Sequence, residues 1–175
     1  MQTETTMEQA PSKFCDGLDT MIRSIGHVVM WTNVILIFVI ILQVILRYGF
    51  GHGLVLLEEL QWHLYALGIM VGASYAQMMN AHIRVDIIHS RLSEKWKLRW
   101  DLFGIAVLLL PFIIIIFHQS LDFVHESWRV NERSAAPLGL PFRWAVKAVI
   151  PISFGLLFIA TVSRALRIIA TLRRS

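Results

Sequence analysis

Two histidines and a pair of adjacent carboxylates are the residues of this chain with the most capacity for chemistry. His63 and His118 each fall inside a long apolar run, at positions of similar depth if both runs are helices. Two imidazoles on neighbouring helices can hold a b-type haem; the same two can equally be polar residues satisfied by helix contacts. A two-haem anchor needs four such histidines, whereas His27, His52, His82 and His89 fall at the ends of the runs or in the loops between them. Glu58 and Glu59 open a stretch without formal charge, from Leu60 to Ala81, which closes on His82, Arg84 and Asp86. Paired carboxylates there fit three roles: an ion site, a contact with a partner, or a helix N-terminus whose dipole favours negative charge. His118, Asp122, Glu126 and Arg129 follow one another at steps of four, four and three, which is one face of one helix. The sequence holds no GxxxxGK[ST], GxGxxG, HExxH or CxxC, and no nucleophile, base and orienter at a recognisable spacing. A nucleotide-driven pump and a classical membrane protease are therefore unsupported.

The elements that must position these residues are membrane spans. Of the 175 residues, 56% are hydrophobic and 16% charged, with a mean hydropathy of +0.61. Soluble domains carry more charge, and here the apolar residues come in long blocks. The formal net charge of +4 needs no nucleic acid to explain it, because basic residues beside spans mark cytoplasmic loops. Cys15 is the single cysteine, which excludes an intramolecular disulfide and a thiolate metal cluster. The first apolar block is too long for a signal peptide and ends on no A-x-A-like site, so it is expected to stay as a span.

The expected fold is an all-α integral membrane protein with four transmembrane helices, over about 25–46, 55–79, 102–123 and 142–166. Residues 1–20 form a cytoplasmic tail, with a short amphipathic helix from Phe14 to Ile22 at the surface, and residues 21–175 a single four-helix domain. The segment from His82 to Asp101 reads as a basic amphipathic interfacial stretch carrying Trp96. Pro111 and Pro151 are expected kinks, and Pro141 suits the first turn of the last helix. With both termini cytoplasmic, eleven basic residues lie on the inner side and five on the outer, in keeping with the positive-inside rule. The second span is only moderately apolar. Its Gln61, His63, Ser74, Gln77 and Asn80, with small residues at Gly68, Gly72, Ala73 and Ala76, point to a helix packed against others. No internal repeat suggests the inverted pair of a transporter acting alone.

In order along the chain, Arg47-Tyr48-Gly49-Phe50-Gly51 ends the first span, Glu58-Glu59 opens the second, Gly72-Ala73 and Ala76 follow, and His82-Ile83-Arg84-Val85-Asp86 closes it. Against four spans this order resembles the small permease subunit of tripartite ATP-independent periplasmic (TRAP) transporters, the DctQ-like family. The resemblance covers residues 20 to 170. It implies a non-catalytic subunit without a cofactor, in a bacterial inner membrane, partnered by a large multi-span permease, a periplasmic substrate-binding protein and membrane lipids. It implies ion-coupled uptake of an organic acid, performed by the large subunit. On that reading Arg47, Glu58, Glu59, Trp62, Gly72, His82, Arg84 and Asp86 are structural or subunit-interface residues. Asp122, Glu126, Arg129 and Arg133, with the proline-rich loop after them, are the candidates for docking the binding protein.

Overall fold

The computed structural model describes residues 13–79, 93–137 and 139–174, and these are helical, with no strand among them. Helix α1 (Lys13–Gly49) is unbroken for 37 residues. At 1.5 Å per residue it is about 55 Å long, well beyond the ~30 Å of a hydrocarbon core. The stretch expected to lie at the surface as a separate amphipathic helix is therefore the first turns of α1 itself. Nothing between Phe14 and Ile25 breaks a helix except Gly17, and Ile22 and Gly26 are buried against the rest of the bundle.

A tight turn over residues 50–54, with Gly51 at φ +70°, reverses the chain into α2 (Val55–Met78). The two helices run antiparallel and close together. A Cβ placed on Gly26 would stand 2.7 Å from the Tyr75 ring, and one on Gly68 would stand 2.9 Å from Asn33 Oδ1. Glycine at these two positions is what lets the backbones approach. Gly72 differs: a Cβ there meets nothing within 4 Å.

The chain resumes with α3 (Glu94–Gly104), passes through a π-helical turn at Ile105–Leu109 and continues as α4 (Leu110–Arg129). Pro111 explains the wide turn. Proline has no N–H, and its ring crowds the carbonyl four residues back, here that of Val107. The Leu110 N–H reaches five residues back to the Ile105 carbonyl, so the extra residue is accommodated just ahead of the proline. The described part of the expected interfacial segment, from Glu94 to Asp101, is continuous with this helix.

Helix α4 ends in a Schellman motif. Asn131 adopts φ 47°, its N–H reaches Trp128 O at 3.1 Å, and Glu132 N–H reaches Ser127 O at 2.9 Å. A short loop leads to α5 (Arg143–Lys147) and α6 (Val149–Arg174), separated at Ala148. Pro151 lacks the N–H that would have bonded the Lys147 carbonyl, and the break falls there. Pro141 lies just before the cap of α5, not in its first turn, and the cap residue Phe142 is left-handed at φ 63°.

Helix α6 is the hub, packing on α1, α2, α3, α4 and α5. Its inward stripe is Ser153, Leu156, Ala160, Ser163 and Arg167, at steps of three and four. The interior is unusually polar and small: Ser74, Gln77, Ser120, Ser127, Ser153, Thr161 and Ser163 are all buried. The surface is the reverse, with Val28, Trp31, Ile35, Phe38, Leu42 and Ile45 forming an exposed stripe along α1. A soluble protein would pay heavily for this arrangement; in a bilayer it is the favourable one. The helices over Asp16–Gly49, Lys95–Arg129 and Arg143–Arg173 are long and apolar enough to cross a membrane. Helix α2 is not among these three, because it carries Gln61, His63, Ser74 and Gln77. Ser74 and Gln77 are buried, and Ser74 Oγ donates to the Ser153 carbonyl of α6 at 3.0 Å.

Candidate functional site

Polar side chains gather at the two ends of the bundle. At the hairpin end, Glu58 and Glu59 lie in the first turns of α2 but do not cap it; Leu54 is the N-cap and its own side chain makes no capping bond. Neighbours in a helix point about 100° apart, so the two carboxylates hold different elements. Glu58 faces α1: its Oε1 accepts Gln43 Nε2 and Arg47 Nη1, each at 3.2 Å, and Gln43 Oε1 in turn accepts the Leu54 N–H at 3.3 Å. These bonds close the α1–α2 turn. Glu59 faces the loop between α4 and α5, accepting Ser134 Oγ on one oxygen and the Leu140 N–H on the other. The adjacent Gly139 leaves no room for a side chain, since a Cβ would stand 2.5 Å from that of Ser134.

The same loop is held from its other side. Glu132 accepts Lys147 Nζ and lies 3.8 Å from Arg143 Nη1, while its carbonyl accepts the Arg143 N–H at 3.2 Å. Lys147 Nζ also sits 3.9 Å over the Phe123 ring. The hydrogen bond from Lys147 is the largest cause that holds the Glu132 carboxyl below its ordinary value of 4.5, and the charges of Lys147 and Arg143 act in the same direction. A lowered value means the attachment is complete above that range and is lost as pH falls through the lowered value. Amide exchange across residues 132–143 is expected to be slow and flat from neutral pH down to the ordinary carboxyl range, and to quicken below it once the intrinsic rate is divided out. A Glu132→Gln variant should show the fast pattern throughout, and equal profiles for the two proteins would refute this role.

Exposed on this end are Asp122, Glu126, Arg129 and Arg133. Glu126 and Arg129 are paired with each other in a two-pronged contact at 2.7 and 2.9 Å. Trp62 points outward from α2, 71% exposed, and Gly72 presents an open notch on the same helix. His82, Arg84 and Asp86 lie outside the described residues. His63 Nδ1 lies against the Glu59 carbonyl of its own helix, and His118 is exposed on α4.

The opposite end holds a network that the sequence reading did not anticipate. Arg167 Nη2 on α6 donates to Asp16 Oδ1 and Asp19 Oδ2 of α1, both at 2.7 Å, and Ser163 Oγ donates to Asp19 Oδ1 at 3.0 Å. One turn away Arg164 bonds Asp101 of α3 at 3.0 Å. Three helices are joined by these charges. Two acids one helical turn apart, Asp16 and Asp19, and basic residues on the last helix were the available signal.

A bundle with a polar interior, an apolar surface and side-chain networks that hold its helices to one another is a helical membrane protein, and its polar groups are engaged in assembly. A family model for tripartite ATP-independent periplasmic transporters, DctQ component, matches residues 36–171, and the chain belongs to that family. It is therefore a small subunit of a TRAP transporter, a transporter component of a family that works with a large permease and a substrate-binding protein. No curated protein matches the chain. The family assignment favours this reading over the haem-bearing anchor, for which His63 and His118 were the candidates.

Proposed function

We propose that the protein crosses a bacterial inner membrane four times with both termini in the cytoplasm, and that it is a non-catalytic scaffold. On this reading it holds the large permease in place and helps to dock the periplasmic binding protein during ion-coupled uptake of an organic acid. The family match over residues 36–171 carries the proposal. The structure supports it in two ways. Helix α2, too polar to be a free-standing span, is shielded on its polar side by α1 and α6, which makes a fourth crossing tolerable. The loop after α4 is fastened by Glu59 and Glu132, so Glu126, Arg129 and Arg133 are presented from a fixed platform. Rigid presentation lowers the ordering cost of a weak, repeated encounter.

Reversing the three charges together, by Glu126→Lys, Arg129→Glu and Arg133→Glu, tests the docking role. Uptake is expected to fall several-fold at limiting binding protein and to recover in part when the binding protein is raised. Unchanged uptake at limiting binding protein would refute docking at this surface.

A further inference from the structure

Arg47, Glu58 and Gln61 line a cleft of about 200 Å³ between α1 and α2 at the hairpin end, together with Tyr48 and the apolar Ile40 and Val44. Three of its polar groups are incompletely used. Both hydrogen bonds to Glu58 land on Oε1, leaving Oε2 without a bond among the described residues. Arg47 spends one amino group on Glu58 and keeps a side chain that is 61% exposed. Gln61 Nε2 is shielded from solvent and has no partner among the described residues, although an unmade bond of this kind is costly.

The cleft opens beside an α1 surface of exposed apolar side chains, at the depth where the helix ends and Tyr48 marks the interface. What reaches it from the side is lipid. One cation and one anion 3.2 Å apart make a neutral pair, which offers no net attraction to an anionic headgroup. It does match a headgroup that carries both signs. We propose that this cleft binds the headgroup of a zwitterionic phospholipid with a primary ammonium, phosphatidylethanolamine. The phosphate takes the remaining N–H groups of Arg47, the ammonium donates to Glu58 Oε2, and an acyl chain runs along Ile40 and Val44. The choline headgroup carries the same charges but has no N–H to donate, so it should be discriminated against. The inference requires α1 to cross a membrane and does not depend on the transporter partners.

The test is native mass spectrometry of the full chain in mild detergent, with phosphatidylethanolamine, its mono-, di- and trimethylated forms, and phosphatidylglycerol supplied in turn. Retention should fall stepwise with each added methyl group and be weak for phosphatidylglycerol. Glu58→Gln should reduce the preference for the unmethylated form about tenfold, the loss expected for a hydrogen bond to a charged group. The methyl series uses the unaltered protein, so it decides the matter even where a variant folds badly. Equal retention across the series, or preference for phosphatidylglycerol, would overturn the assignment. So would displacement by water-soluble glycerophosphoethanolamine at equal concentration, which would give the cleft a soluble ligand.

Discussion

Gly26→Leu is expected to separate α1 from α2. The ring of Tyr75 already occupies the space a Cβ would need, at 2.7 Å, and the leucine side chain is larger still. Overfilling a packed contact typically costs about 1–3 kcal/mol, and a site flanked by a second tight approach, Gly68 on Asn33, has little slack. The Gln43–Glu58–Arg47 bonds should loosen with it, since they depend on the same helix pair. Thermal denaturation of the purified chain should show a clear loss of stability for Gly26→Leu. Gly72→Leu should show almost none, because a Cβ at that position meets nothing within 4 Å. An equal loss for both variants would mean that the α1–α2 spacing is not set by Gly26. If Gly72 is a contact with the large subunit, its leucine variant should instead weaken the complex while the isolated chain stays stable.

Arg167→Ala is expected to open the other end. Arg167 is 13% exposed at its side chain and joins Asp16 and Asp19, of which Asp19 is 25% exposed and Asp16 54%. Removing one partner of a fully buried pair costs about 3–5 kcal/mol, mostly through the charge left behind. Water reaches Asp16 freely, so a smaller loss of about 1–3 kcal/mol is expected, with Asp19 the main source. The first three turns of α1 should then exchange amide protons faster and become open to protease. Asp19→Asn in the Arg167→Ala background should recover part of the loss, because the stranded charge is gone. A single Arg167→Ala variant as stable as the parent would show that α1 holds its length without the clasp.

These expectations mark where sequence reading succeeds and where it stops. The apolar runs of α1, α4 and α6 are legible because a bilayer demands long charge-free segments. The likeness to the small TRAP subunit was also legible, since Arg47, the carboxylate pair and the glycines keep their order. The full reach of α1 was not. Asp16 and Asp19 read as a polar tail when their partners are more than 140 residues away in Arg167 and Ser163. The separate duties of Glu58 and Glu59 were hidden for a similar reason. Their position at a helix start was visible, but the loop that Glu59 holds is contributed by residues 134 and 140. Among the glycines, pattern alone could not tell Gly26, which α2 presses against, from Gly72, which faces open space. Pro111 was read as a kink; that the backbone meets it with a π turn, a choice made by local carbonyl crowding, was not legible.

The decisive measurement is purification of the tagged full chain from its native host in mild detergent, with every co-purifying protein identified and weighed by mass spectrometry. A large multi-span permease in roughly equal amount is the expected result, with binding protein added later joining only that complex. A co-purifying redox subunit with a Soret band in the same sample would contradict the scaffold function and make ligands of His63 and His118.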